Sequence, residues 1–333
     1  MLSYQLFATP PTGFVQLLTD VFTIFLTHWQ PLVAIALFQI LSFFGACYVL
    51  YNVTNILFAN TIAQIIESYS GYSRHYYDYN GDANNAAAAA AEVSIFALGL
   101  PQLLAIYCLW AIVLSLVSSI YTGAMTHAIA DIYAGNSPSI SLSIGVGWAH
   151  KWKIYLFSLL LSFALAAVLF VTIGISMSFG SGVIVELVVF FIVLTVLVGT
   201  LMLGAVPSIV VEGKSPIEAF FRSWNLCKSH VCFIFCSCLG FWAVIDFVMV
   251  FIYLILYQFP VALTAFNIVV SVGIMPIGTI LVFALYMSIR IRSENLTQQM
   301  LTQELSNGVP VANAVPASGY QKIPELAGEA TIV

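Results

Sequence analysis

The chain has 333 residues, of which 61% are hydrophobic and only 7% are charged. Soluble domains average about 25% charged residues, so this composition excludes an ordinary soluble enzyme and a disordered scaffold. The formal net charge of −5 leaves no basic surface for a nucleic acid. A mean hydropathy of +1.02 indicates a multi-pass membrane protein.

Six apolar segments are long enough to cross a bilayer core of about 30 Å, which needs roughly 20 helical residues. Their apolar runs are continuous, which favours helices over the alternating strands of a membrane β-barrel. The predicted fold is therefore an all-α polytopic transmembrane bundle, with six spans arranged as three hairpins. The spans are Pro31–Tyr51, Val93–Tyr121, Ile154–Ser176, Val183–Val206, Val231–Tyr257 and Val261–Ile289.

The basic residues predict how these spans are oriented. Eight of the nine Lys and Arg residues fall on one side of a six-span arrangement, in 129–153, 207–230 and the tail, and only Arg74 falls on the other. The positive-inside rule then places both termini in the cytoplasm. The predicted organisation is a cytoplasmic segment 1–30 with an interfacial helix, a membrane domain 31–289 with a non-cytoplasmic loop 67–92, and a largely disordered cytoplasmic tail 290–333. The tail is predicted to begin as a helix, Glu294 to Leu305, that is polar on most faces, and to be disordered beyond it.

Two cytoplasmic segments look alike and lie 78 residues apart. Gly135-Asn136-Ser137-Pro138 and Gly213-Lys214-Ser215-Pro216 each predict a short in-plane helix with Pro at its first position, followed by a Trp/His/Lys junction and a span. The segment from Gly13 to Trp29 is a candidate third copy. Either the unit of in-plane helix plus hairpin is repeated three times, or these are three unrelated interfacial helices.

The segment from Val206 to Trp224 carries a Pro near a span end, a Glu-Gly turn and a Pro-x-Glu-Ala…Arg-Ser-Trp helix. It resembles the signature of a family of six-helix membrane proteins that includes the membrane domain of bacterial glycerophosphoryl diester phosphodiesterase. The resemblance extends over about residues 14–290 and implies a fold. It implies no catalytic residue, because the chemistry of that phosphodiesterase belongs to a separate soluble domain. The matching residues are Pro207, Glu212, Gly213, Pro216, Glu218, Arg222, Ser223 and Trp224.

Within this motif, Glu218 and Arg222 are four residues apart with the acid first, a spacing that favours an ion pair. Together with Glu212 they form either a lipid-headgroup or partner site near Lys214 and Lys228, or a structural connection between the in-plane helix and the bundle.

Two carboxylates lie inside predicted spans. Asp246 is near the middle of the fifth span, where a charge costs at least ~2.5–3.5 kcal/mol. It is either a proton or cation site of a transporter or a neutral Asp hydrogen-bonded between helices. Glu186 lies near the non-cytoplasmic end of the fourth span, where it can reach water.

Four cysteines cluster with His230 at the start of the fifth span, namely Cys227, Cys232, Cys236 and Cys238. Their spacing suits a metal poorly, and they are either juxtamembrane acylation sites or small packing residues. At the far end of the tail, Thr331 and Val333 fit a ligand whose free carboxylate is captured by a partner domain.

The sequence predicts no catalytic residue, no cofactor and no metal site. The favoured function is a non-enzymatic membrane organiser or scaffold, a multi-pass protein that contacts membrane lipids and, through its tail, a cytoplasmic protein. The alternative is a small-solute or proton-coupled transporter that uses Asp246.

Overall fold

The computed structural model describes residues 13–76, 83–179, 197–256 and 258–308. Within these ranges every regular element is helical, so the prediction of an all-α fold is confirmed. In chain order the helices are α1 (Phe14–Thr27), α2 (Trp29–Tyr76), α3 (Ala83–Ala134), α4 (Ile140–Phe179), α5 (Ala205–Val211), α6 (Pro216–Cys227), α7 (Val231–Leu256), α8 (Pro260–Glu294) and α9 (Gln298–Gly308).

Four helical segments are long and apolar enough to cross a membrane, judged by length and composition. They overlap the first, second, fifth and sixth predicted spans. The third predicted span lies inside α4, and most of the fourth lies outside the described residues. The six spans and three hairpins therefore stay a prediction. The four segments are Trp29–Ile56, Cys108–Ala134, Val231–Leu256 and Val272–Glu294.

Two segments that the sequence analysis treats as loops are mostly helical. The helix α2 continues to Tyr76 and α3 begins at Ala83, so 67–76 and 83–92 are helical, while the place of 67–92 on the non-cytoplasmic side stays a prediction. The run of alanines at 86–91 explains the early start of α3, because alanine has the highest helix propensity. Segment 129–153 is likewise helical except at 135–139, between α3 and α4.

The two similar segments form similar turns after a helix. Gly135 and Gly213 both adopt positive φ, at 88° and 68°, a conformation that glycine tolerates best. A third turn after α8 uses Asn295, with φ of 51°. The start of the next helix differs, however, because Pro216 is the first residue of α6 whereas α4 begins two residues after Pro138. The prediction of Pro at the first helical position is wrong for that copy, and a true threefold repeat stays a prediction.

The helix α8 lies at the centre of the packed region. Its residues 280–290, apart from half-buried Val282, are buried, and it contacts α1, α2, α3 and α7. The short helix α1 buries one side, formed by Leu17, Val21 and Ile24, against this centre. The spacing of these three residues at i, i+4 and i+7 is that of a single helix face.

The helices α3 and α4 approach most closely at Gly147. A Cβ atom added there would lie 2.2 Å from the carbonyl oxygen of Ile120 and 2.7 Å from the amide nitrogen of Ala124. Only a residue without a side chain allows the two backbones to pass at this distance. Glycine at this position therefore sets the crossing of the two helices.

The predicted helix at the start of the tail is confirmed as α9, with somewhat different bounds. The helix α9 buries Leu301 and Leu305, and the side-chain amide of Gln298 donates to the carbonyl oxygen of Ala134 at 2.8 Å. Because most faces of this segment are polar, the sequence did not indicate that its two leucines pack against the rest of the protein. Residues 309–333 lie outside the described residues.

Candidate membrane-interface site

The motif that carries the family resemblance builds the start of α6. Ser215 is the N-cap, and its hydroxyl accepts from the amide of Glu218 at 3.3 Å while a Glu218 carboxylate oxygen accepts from the amide of Ser215 at 3.0 Å. This reciprocal pair is a capping box, and Pro216 at the first position suits the same helix start. Hydrogen bonding to its carboxylate by the Ser215 backbone amide, and next by the Ser215 side chain, lowers the pKa of Glu218 below its ordinary value.

One side of α6 is fixed to the segment before it. The Ser223 hydroxyl donates to the carbonyl oxygen of Leu201 at 2.6 Å and accepts from the amide of Gly204 at 3.0 Å. A Cβ atom added at Gly204 would lie 3.2 Å from the Tyr286 ring. Together with buried Pro207 in α5, these contacts hold α6 against α5 and α8.

The other side of α6 is exposed and apolar. Ile217, Phe221 and Trp224 stand at i, i+4 and i+7 and are 61%, 60% and 45% exposed. We call these three residues the α6 stripe. A helix that is fixed on one side and presents bulky apolar residues on the other is typical of a helix lying in the membrane interface.

A network of charges lies beneath α6 and is built around Glu212. This residue follows α5, and its side chain is 8% exposed. Its two carboxylate oxygens accept from Nε of Arg222 at 3.2 and 3.1 Å, and Oε1 accepts from the hydroxyl of buried Tyr286 at 2.5 Å. Glu212 therefore connects α6 to the central helix α8.

Arg290 is the second centre of the network, with a side chain that is 4% exposed. Its two terminal nitrogens donate to the two oxygens of Glu304 on α9, each at 2.8 Å, and its Nε donates to Glu294 at 2.9 Å. Nη1 also lies 3.8 Å from Glu212. We call Glu212, Arg222, Arg290, Glu294 and Glu304 the ionic network.

Arg222 completes the ionic network by contacting two carboxylates. Besides Glu212, its Nη1 lies 2.5 Å from Oε1 of Glu294. Burial alone would lower the pKa of Arg222, but the hydrogen bond with Glu294 and the charge of Glu212 outweigh it and raise the pKa above its ordinary value. The predicted pair of Arg222 with Glu218 is wrong, because the capping box engages the Glu218 carboxylate and tertiary partners engage Arg222.

The start of α4 lies beside the same turn. The ammonium of Lys153 donates to the carbonyl oxygen of Gly213 at 2.9 Å. Trp148 and Trp152 are exposed on this part of α4, and the ammonium of Lys151 lies 3.2 Å from the centroid of the Trp148 ring. Exposed aromatic rings next to lysines are typical of the depth of lipid headgroups.

A second buried polar group, which the sequence analysis missed, joins α3 to α4. Nδ1 of His127 lies 3.4 Å from both the Asp131 carboxylate and the Ser143 hydroxyl. All three side chains are buried, as is His150, whose Nδ1 contacts the carbonyl oxygen of Val146 at 3.0 Å. Burial lowers the pKa of His150. These groups lie beside the Gly147 crossing and satisfy one another's hydrogen bonding there.

Of the remaining predicted site residues, the structure describes Asp246, which stands apart from the ionic network. Asp246 is exposed on α7, where Trp242 and Val250 on either side of it in the sequence are exposed as well. Glu186, Thr331 and Val333 lie outside the described residues. The hypothesis of transport through Asp246 therefore stays a prediction.

Three residues of the ionic network, Arg290, Glu294 and Glu304, were not selected from the sequence, and neither was Tyr286, which donates to Glu212. Arg290 and Glu294 have the i, i+4 spacing of a helical ion pair, which was a usable signal. Tyr286 and Glu304 carry no such signal, since only the folded chain brings them to Glu212 and Arg290.

No family model, curated protein or solved structure matches this chain. The resemblance to the phosphodiesterase membrane domain therefore stays a prediction. Within the described part of the chain, no group of three or more His, Cys, Asp and Glu side chains is arranged to hold a metal ion.

Proposed function

We propose that this protein is a non-enzymatic integral membrane organiser that holds α6 in the plane of one membrane surface. The observation that carries the proposal is the two-sided environment of α6. Its inner side is fixed by Ser223 and by the ionic contacts of Arg222, while the α6 stripe is exposed. A rigidly held apolar stripe orders the lipids around it because the helix itself cannot move away.

Charge around α6 favours anionic lipid. Lys214 precedes the helix and Lys228 follows it, while the carboxylates of Glu212 and Glu294 face inward to Arg222. The exposed carboxylate of Glu218 in the first turn of α6 accepts from the Ser215 amide and offsets part of this positive charge. Headgroups with a negative charge would meet lysines at both ends of the helix and aromatic side chains between them. Each Lys near an anionic membrane surface contributes about 1 kcal/mol of attraction.

The proposal includes the topology that the sequence predicts. Six spans with both termini in the cytoplasm would place α6, α9 and the tail on the cytoplasmic side, where anionic lipids are concentrated. The resemblance predicted from the motif at Val206–Trp224 would imply the same arrangement. The tail would then meet a cytoplasmic partner from this side of the membrane.

The depth of Trp224 tests the proposal. The purified protein is reconstituted in vesicles whose lipids carry bromine either near the glycerol backbone or near the chain ends. The difference in fluorescence between the native protein and Trp224→Phe reports Trp224 alone. We expect stronger quenching of Trp224 by the shallow bromine, and stronger still when anionic lipid replaces neutral lipid.

Trp110→Phe is the matched control, since Trp110 lies in a candidate span and its indole donates to Thr54 at 3.0 Å. Its difference signal should not depend on the headgroup charge. Absence of quenching of Trp224 by either lipid would show that the α6 stripe faces water or protein, and the proposal would then be wrong.

A further inference from the structure

Two exposed cysteines lie on one side of the first turns of α7. Cys232 and Cys236 are four residues apart and both exposed, and their thiols are close enough to interact with each other. The same side continues with exposed Leu239, Ala243 and Phe247. The side is therefore thiol-bearing at the start of the helix and apolar beyond it.

This position is the boundary of a candidate span. The span begins at Val231, and exposed Lys228 and Ser229 come directly before it. Arg292 on α8 lies close by, with its guanidinium 5.3 Å from the Phe233 ring. Basic residues next to an apolar helix mark the depth at which lipid headgroups lie.

We propose that Cys232 and Cys236 are sites of S-acylation by long-chain fatty acid. A thioester at either position keeps its carbonyl at headgroup depth, while its hydrocarbon chain extends along Leu239, Ala243 and Phe247. Juxtamembrane cysteines are the usual acceptors of this reversible modification. The inference requires α7 to cross the membrane, but it does not depend on the α6 stripe.

The acyl donor is a long-chain acyl-coenzyme A thioester, delivered by a membrane acyltransferase. The deprotonated Sγ of the cysteine attacks the thioester carbonyl carbon, and the bond from that carbon to the sulfur of coenzyme A breaks. Coenzyme A leaves as a thiol and takes up the proton that the cysteine gave. No atom is oxidised or reduced, and water or hydroxylamine reverses the modification by attack on the same carbon.

The other cysteines of this cluster supply internal controls. Cys227, the last residue of α6, is buried, and its sulfur lies 3.9 Å from the Ser223 hydroxyl. Cys238 is half-buried on a different side of α7. An acyltransferase can reach neither as readily, because the thiol must be accessible to react.

The experiment uses the full chain expressed in eukaryotic cells that contain S-acyltransferases. Free thiols are blocked, thioesters are cleaved with hydroxylamine, and each released thiol is labelled with a maleimide that adds a resolvable mass. We expect up to two mass increments for the native protein, at most one for Cys232→Ser or Cys236→Ser, and none for the double variant. Cys227→Ser should keep the native pattern.

Peptide mapping of the native protein locates the acyl groups without any substitution, so a misfolded variant cannot hide the result. The inference would be overturned if the native protein carried no hydroxylamine-sensitive label in cells where a known acylated protein is labelled. Labels that persist in the double variant, or that map to Cys227 or Cys238, would overturn it as well. Neither result would alter the quenching of Trp224, so the two proposals fail separately.

Discussion

The helices α7 and α8 are consecutive and almost equally apolar, yet their surroundings are opposite. The most apolar stretch of α7 has a mean hydropathy of 2.4, against 2.1 in α8. Only 6% of that stretch is buried inside the described protein in α7, compared with 61% in α8. The more apolar helix is thus the more exposed one.

This difference teaches that hydropathy reports contact with lipid rather than contact with protein. Lipid tails are as apolar as a leucine side chain, so an apolar helix gains little by leaving them for the protein interior. Polar groups gain more, because they can find partners inside. The helix α8 accordingly carries Tyr286, Arg290 and Glu294, and these side chains contact α5, α6 and α9.

The largest expected effect comes from removing the buried cation of α8. Arg290→Ala would leave the carboxylates of Glu304, Glu294 and Glu212 with one cation among them, and breaking a buried ion pair costs about 3–5 kcal/mol. We expect a loss of this size in the free energy of unfolding, measured by titration with sodium dodecyl sulfate. Arg292→Ala, which removes an exposed guanidinium next to Phe233, should cost less than about 1 kcal/mol. Equal losses for the two variants would contradict a special role for Arg290.

The apolar residues of the two helices can be compared directly. Phe283 on α8 is fully buried and contacts the Tyr133 and Tyr286 rings, whereas Phe247 on α7 is 75% exposed. Phe283→Ala should cost about 3 kcal/mol through the cavity it leaves. Phe247→Ala should cost less than about 0.5 kcal/mol. If Phe247→Ala were as damaging, protein rather than lipid would cover α7.

Adding a methyl group at the helix crossing should have an intermediate effect on the free energy of unfolding. Gly147→Ala forces a methyl group into the backbone of α3 and should cost about 1–3 kcal/mol. Gly278→Ala in α8 meets nothing within 4 Å and should be neutral or stabilising by up to about 1 kcal/mol, since alanine favours the helix. The thermal midpoints of the two variants in the same detergent check the order.

The capping box of α6 has a smaller effect that depends on pH. Ser215→Ala should cost about 1 kcal/mol at neutral pH. The folded state lowers the pKa of Glu218, so the Glu218 contribution is complete above its ordinary value of 4.5 and is lost as the pH falls through the lowered value. The difference in the free energy of unfolding between the native protein and Glu218→Ala should therefore shrink below about pH 4. A difference that stays constant with pH would contradict the hydrogen bond from the Ser215 amide to the Glu218 carboxylate.

The smallest expected effect concerns Asp246. If the protein is an organiser, vesicles with an imposed pH gradient should show the same proton flux for the native protein and for Asp246→Asn. If it is a transporter, Asp246→Asn should abolish the flux while the variant still folds. Loss of flux would replace the proposed function with the alternative and would locate the pathway along α7.

The helical class and the apolar segments that overlap the four candidate spans could be predicted from the sequence, because crossing a membrane imposes length and composition on a helix. The start of α6 could be predicted for a similar reason, since Ser215, Pro216 and Glu218 act on neighbouring residues. The partners of Arg222 could not be predicted, because Glu212 and Glu294 are ten and more residues away. A helix at the start of the tail could be predicted, but only tertiary contact shows that Leu301 and Glu304 attach α9 to the rest of the protein.

The contact between Arg290 and Glu304 also has a consequence for proteolysis. A cut at the turn 295–297 would detach α9 and leave the buried guanidinium of Arg290 without its bidentate partner. Because breaking a buried ion pair costs about 3–5 kcal/mol, loss of α9 would weaken the helices that remain. The short helix α9 is thus part of the fold and not a removable extension.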